Sequence, residues 1–153
     1  MKKKLISLLL VLALVFSNAT FAFAADGDYL TEEPKVKISK EMSGKTALTH
    51  IGDDNSIFLD LRAAEDYAAG HIKGTISAPV CLSASEGYKV PVANKEAFVA
   101  QMKELKVVEN NTKIYLHCYM GTFCVNYAAD WLLNDVGVKN SQLVRVLNGT
   151  FGD

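Results

Sequence analysis

The stretch Ile114-Tyr115-Leu116-His117-Cys118-Tyr119-Met120-Gly121-Thr122-Phe123-Cys124, with the pattern that follows it, decides how this chain is read. Lys113 to His117 is apolar, aromatic and β-prone, which predicts a short buried strand. Val125, Ala128, Ala129, Leu132 and Val136 then recur at helical spacing, so Cys124 falls near a helix start. A strand that ends in cysteine and returns through a short loop to a helix N-terminus suits a reactive thiolate. Loop amides turn inward there, and the helix dipole adds roughly half a positive charge. Both favour S⁻ over SH, and the thiolate is the nucleophile. On this local pattern alone, a buried structural cysteine at a strand end fits Cys118 as well.

Working outward, strands and helices alternate. Ser56 to Leu61 is a second buried strand, and Ala63 to Ala69 is helix-prone with Gly70 as a left-handed stop. Gly74 to Val80 is strand-like but interrupted by Pro79, and Ser83 to Pro91 is a loop. Asn94 caps a helix over Lys95 to Leu105 that presents Phe98, Met102 and Leu105 on one face. Asn110-Asn111 turns the chain into the Lys113 strand, and the helix after the Cys118 loop runs to about Asp135. Leu143 to Leu147 is a last strand. Towards the front, Val36 to Ile38 reads as a first short strand, and Ser39 as the cap of a short helix over Lys40 to Leu48. Short apolar strands separated by helices predict an α/β fold, a central parallel sheet with helices on both faces. Ligands in such sheets bind beyond the carboxyl ends of the strands. The segments after Leu61, Val80 and His117 are expected to meet there.

The chain of 153 residues is long enough for one domain with a core. Lys2-Lys3-Lys4, the apolar run Leu5 to Phe16 and Ala22-Phe23-Ala24 form the three parts of an export signal over 1–24, with Ala25 as the mature N-terminus. The apolar run is too short to span a bilayer comfortably, so no stable membrane span is expected after cleavage. Residues 25–35 are polar and acidic and read as a flexible lead-in. Once the three leader lysines are set aside, acidic residues outnumber basic ones, which argues against a nucleic-acid partner. Three cysteines, Cys81, Cys118 and Cys124, leave at least one thiol unpaired within a monomer in an oxidising compartment. Their spacing fits no zinc site, and His50, His71 and His117 are scattered, so no metal is expected.

The run Phe58-Leu59-Asp60-Leu61-Arg62-Ala63-Ala64-Glu65-Asp66-Tyr67-Ala68-Ala69-Gly70-His71-Ile72-Lys73-Gly74-Thr75-Ile76 resembles the rhodanese domain. That family carries D-x-R at a strand end, then E-[FY]-x-x-G-H-I-x-G-A. Asp60, Arg62, Glu65, Tyr67, Gly70, His71, Ile72 and Gly74 match it. Cys118 and Gly121 match the family's strand-ending cysteine and the glycine three residues later. The resemblance covers roughly Val36 to Gly149. It implies a rhodanese-like three-layer α/β fold over 36–153, no cofactor, and Cys118 as the sulfur-carrying nucleophile. Tyr119, Met120, Gly121, Thr122, Phe123 and Cys124 would then form the substrate-binding loop. Asp60 and Arg62 are supporting residues, read first as a salt bridge that fixes loops. His71 is read as holding a turn, and Gly74 as allowing close backbone approach. Family members usually close with two glycines, a tryptophan and a final helix. Here the sequence stops at Asn148-Gly149-Thr150-Phe151-Gly152-Asp153, which reads either as a fragment, truncated at its C-terminal end, or as a domain without the last helix.

Two departures sharpen the expectation. Many members read C-x-x-G-x-R, and here the last position is Phe123. Thiosulfate-using members carry cations at the places of Tyr119 and Met120. With no basic side chain in the loop, a dianionic donor must rely on amides and dipole, so a persulfide or polysulfide suits this rim better. The related tyrosine-type phosphatases read H-C-x-x-G-x-x-R, and Cys124 stands where their arginine clamps the phosphoryl group, which argues against that chemistry. Three classes stay open: a sulfurtransferase, a thiol redox protein using Cys118 with Cys124 or Cys81 as candidate resolving thiols, and a non-catalytic binding module. The expected partner is a small sulfur-containing substrate or a thiol acceptor protein. The oligomeric state is not legible.

Overall fold

The computed structural model describes residues 28–147. The export signal, Ala25 and the closing segment from Asn148 therefore lie outside the described residues. In chain order the elements are β1 (Tyr29–Leu30), β2 (Glu41–Ser43), α1 (Gly44–Leu48), β3 (Ser56–Asp60), α2 (Ala64–Ala69), β4 (Ile76–Ser77), β5 (Val90–Pro91), α3 (Val92–Glu104), β6 (Lys113–His117), α4 (Phe123–Trp131) and β7 (Leu143–Leu147). A π-helical turn, Leu132–Val136, extends α4. The main sheet has five parallel strands in the order β2-β7-β6-β3-β4.

The three inner strands, β7, β6 and β3, are buried because both of their faces are covered. Leu59, Ile114, Leu116 and Leu143 pack against Phe98 and Met102 of α3 and Val125, Ala128 and Ala129 of α4. On the opposite face Phe58, Tyr115, Val144 and Val146 pack against Ala47 of α1. Phe58 and Tyr115 are register partners and their rings stack at 4.2 Å. Side chains alternate across a strand with a period of two, so one apolar run feeds both cores. The expected three-layer α/β arrangement is the one observed. Among the described residues no helix is long and apolar enough to cross a membrane.

Several boundaries differ from expectation. The first strand of the main sheet is Glu41–Ser43, not Val36 to Ile38. Ser43, not Ser39, caps α1 by accepting from the Thr46 amide. Ser39 is held instead through its amide and hydroxyl by Asn140. The lead-in is not loose from Asp28 onward. Tyr29 and Leu30 pair antiparallel with Pro91 and Val90, and Asn126 holds the Glu33 carboxylate at 2.7 Å. Tyr29 and Leu30, inside the acidic stretch, fasten it together with Glu33. The helix α3 begins at Val92, and Asn94 lies inside it, its amide donating to the Val80 carbonyl. Gly70 does end α2, but at φ 171, which is extended backbone and not a left-handed stop. Gly74, at φ +93, does permit a close approach: a Cβ there would lie 2.7 Å from Ile51 Cγ2.

Candidate active site

The carboxyl ends of β3, β4 and β6 share one edge of the sheet, since all three strands run parallel. Asp60 ends β3 opposite His117, which ends β6. Asp60 is fully buried, so its charge needs partners. Arg62 supplies a fork: Nη2 donates to Oδ2 at 2.7 Å, Nε donates to Oδ1 at 3.0 Å, and the Arg62 amide donates to Oδ1 at 3.1 Å. His117 Nε2 approaches Oδ2 at 3.3 Å. Burial by itself would push the Asp60 carboxyl up; the hydrogen bonds from His117 and Arg62 outweigh it and hold the carboxyl at about 2. Arg62 also donates to the Gly70 carbonyl at 2.8 Å, which ties the end of α2 to the end of β3. The pair thus fixes the ends of β3 and α2 beside His117, the residue before Cys118.

Cys118 follows β6 directly and is 3% exposed. Its Sγ accepts the Gly121 N–H at 3.3 Å. Gly121 turns the loop at φ +74, and its α-carbon lies so close to β7 that a Cβ would collide with the Val146 carbonyl oxygen. Only a glycine accommodates both conditions without displacing backbone. Thr122 then caps α4 with no side-chain hydrogen bond, at φ −121 and ψ −88. Tyr119 leaves the loop sideways. Its hydroxyl is hydrogen-bonded to the Asp66 carboxylate and accepts from the Ala63 amide at 3.2 Å, which pins the loop to α2. Burial, together with the Asp66 hydrogen bond, pushes that hydroxyl well above its ordinary value. Met120 is 74% exposed at the loop tip, and Tyr88 meets Tyr119 edge-on at 5.1 Å beside it. Phe123 is half-buried and packs edge-on against Tyr127 at 5.2 Å.

The structure brings most of the anticipated residues together and separates others. Cys81 and Cys124 form a disulfide, with Cα atoms 6.1 Å apart. Cys118 is the free cysteine. His71 lies on the surface, its Nδ1 2.9 Å from the Tyr67 carbonyl and its ring stacked on Tyr67 at 3.8 Å; no hydrogen bond joins it to Cys118. It holds a turn. Among the described residues no cluster of His, Cys, Asp or Glu is arranged for a metal ion.

One residue escaped the sequence reading. Arg145, in the middle of β7, donates from Nη1 to the Gly121 carbonyl at 2.9 Å and from Nη2 to Asn126 Oδ1 at 2.8 Å. Its Nε lies 3.3 Å from a carboxylate oxygen of Glu41 on β2. Arg145 lies outside Cys118 to Cys124, the stretch that carries no basic side chain. The available signal was an arginine inside the otherwise apolar run Leu143-Val144-Arg145-Val146-Leu147, since a buried charge needs partners.

Comparison with known proteins gives a family match and fold-level likenesses. The family model described as Rhodanese-like domain matches residues 43–152. No curated protein matches the sequence. Among solved structures the chain is similar to the rhodanese-like domain of a protein from Anabaena sp., at 16% identity and a TM-score of 0.49, covering 78% of this chain and 70% of that one. It is also similar to a rhodanese-like domain protein from Staphylococcus aureus, at 16% identity and a TM-score of 0.44, covering 74% and 92%. A rhodanese-related protein from Thermoplasma volcanium aligns at 18% identity and a TM-score of 0.42, covering 73% and 87%.

Proposed function

Because the chain belongs to the rhodanese-like domain family, we propose that it is an exported sulfurtransferase that carries sulfane sulfur on Cys118. The observation that carries this reading is a free cysteine at the end of a central parallel strand whose sulfur accepts a loop amide. An N–H donor at the sulfur and a helix N-terminus just beyond it both stabilise negative charge, on the thiolate and on the persulfide alike. The Cys118 thiolate attacks the outer sulfur of a donor persulfide. The donor's S–S bond breaks, a new S–S bond forms on Cys118, and the donor leaves as its thiolate. An acceptor thiol or cyanide then takes that outer sulfur, and the Cys118 thiolate returns. Each step exchanges one S–S or S–C bond for another, so no external oxidant is needed.

The donor class follows from the rim. The side chains from Tyr119 to Phe123 carry no charge, and Met120 and Thr122 among them are exposed. An organic persulfide, a monoanion, meets such a rim at lower desolvation cost than the thiosulfate dianion. Export is supported by the leader pattern, and the Cys81–Cys124 disulfide is in keeping with an oxidising compartment. The redox alternative would pair Cys118 with Cys124 or Cys81. Those two are engaged with each other here, which favours the sulfur carrier.

Mass spectrometry of the mature protein after incubation with a small organic persulfide, and separately with thiosulfate, tests the reading. The expected result is a gain of one sulfur atom on Cys118 with the persulfide and less with thiosulfate. The Cys118→Ser variant should gain none. A Cys118 disulfide with Cys81 or Cys124, formed by exchange with the Cys81–Cys124 bond and without added sulfur, would point to the redox alternative, and no change with either donor or a mild oxidant to a binding module.

A further inference from the structure

We propose that Arg145 is a positioning residue for Cys118: it holds the 121–122 peptide in the orientation that presents amides to a bound anion, and supplies from β7 the positive charge that the loop lacks. This rests on the reading of Cys118 as a sulfur-carrying anion. Gly121 is the link. Its N–H donates to Cys118 Sγ, and its carbonyl accepts from Arg145 Nη1. All peptides here are trans, and a trans peptide places its C=O and N–H on opposite edges. Clamping the Gly121 carbonyl towards β7 therefore turns the Thr122 N–H to the other edge, away from the strand. Among the described residues that N–H meets no hydrogen-bond acceptor.

The arginine is itself held so that it cannot wander. Asn126, one turn into α4, takes Nη2, and the Asn126 amide donates to the Thr122 carbonyl at 2.9 Å. The guanidinium thus joins loop, helix and strand in one short circuit. Arg145 is 8% exposed, so its charge acts through protein more than through water. Glu41 opposes that charge from the exposed side of the site and tempers it. Register fixes the placement, because Arg145 lies beside Leu116, two residues before the nucleophile. A lysine could supply the charge but could not reach both Gly121 and Asn126 with a planar fork.

The test reads Cys118 alone, since the other two cysteines are joined to each other. Rate constants for alkylation by iodoacetate, an anion, and iodoacetamide, its neutral counterpart, are measured on folded protein. Their ratio senses positive potential at the thiol, and a merely structural loss would change both rates alike. Arg145→Gln should lower the iodoacetate-to-iodoacetamide ratio by roughly fivefold, and Arg145→Lys should restore part of it. A ratio that stays within about twofold of the wild type in folded Arg145→Gln overturns the proposal. Glu41→Gln is the control that keeps its fold, because Glu41 is exposed; it should raise the ratio about twofold, and an unchanged or lower ratio also counts against the idea. Failure of the wild type to take up sulfur would refute the sulfurtransferase reading while leaving this ratio to decide the role of Arg145.

Discussion

Gly121 carries two demands that a single methyl group would violate. Its backbone is left-handed, and the space beside its α-carbon is filled by the Val146 carbonyl. Gly121→Ala should therefore cost roughly 2 kcal/mol or more in urea unfolding, from backbone strain plus overpacking. It should also lose sulfur loading, because the same shift removes the amide from Cys118. Asp60 gives a pH prediction. Its folded value of about 2 lies below the ordinary 3.8, so its contribution is complete above about pH 4 and is lost as pH falls towards 2. The depression corresponds to about 2 kcal/mol. The urea midpoint should drop across that window, and Asp60→Asn should be less stable at pH 7 yet show a shallower drop. At this scale the cysteine at the end of β6 and the Asp60–Arg62 pair were legible, since both sit in dense local motifs. Arg145 stayed hidden because its meaning depends on a strand pairing formed far from Cys118 in sequence.

Among the elements, β3, β6 and β7 were legible because each is a nearly continuous apolar run with cores on two sides. β2 was not, since Glu41-Met42-Ser43 is an edge strand with only Met42 packed inward. Its identity comes from hydrogen bonds to β7, such as Arg145 N–H to the Lys40 carbonyl at 2.9 Å. β1 was missed for a related reason, its pairing with β5 being non-local. That pairing can be checked. Hydrogen exchange should show the Val92 amide protected, since it donates to the Asp28 carbonyl at 2.9 Å, and Leu30→Pro should expose it. The start of α4 has a covalent anchor. Reducing the Cys81–Cys124 disulfide, or Cys124→Ser, should destabilise the fold by about 2–4 kcal/mol, read as a lower thermal midpoint. The largest loss of exchange protection should fall on the first turn of α4.

For the molecule as a whole, the parallel sheet collects its functional groups at one edge, and only a β-α-β chain order does so. That order was readable from the alternation of apolar runs. The linking contacts were not, because Tyr119 to Asp66 and Arg145 to Gly121 join elements that are neighbours only after folding. The disulfide has one further effect at this scale. It closes a covalent ring from Cys81 to Cys124 that contains β5, α3, β6 and Cys118 itself. Residues 84–89 lie on that ring and are exposed. A protease that nicks the backbone after Lys89 would consequently cut one chain into two pieces that still travel as one species. They should run as a single band without reductant and as two bands with it, and the Cys118 loop would stay tied to β7 through Gly121 and Arg145.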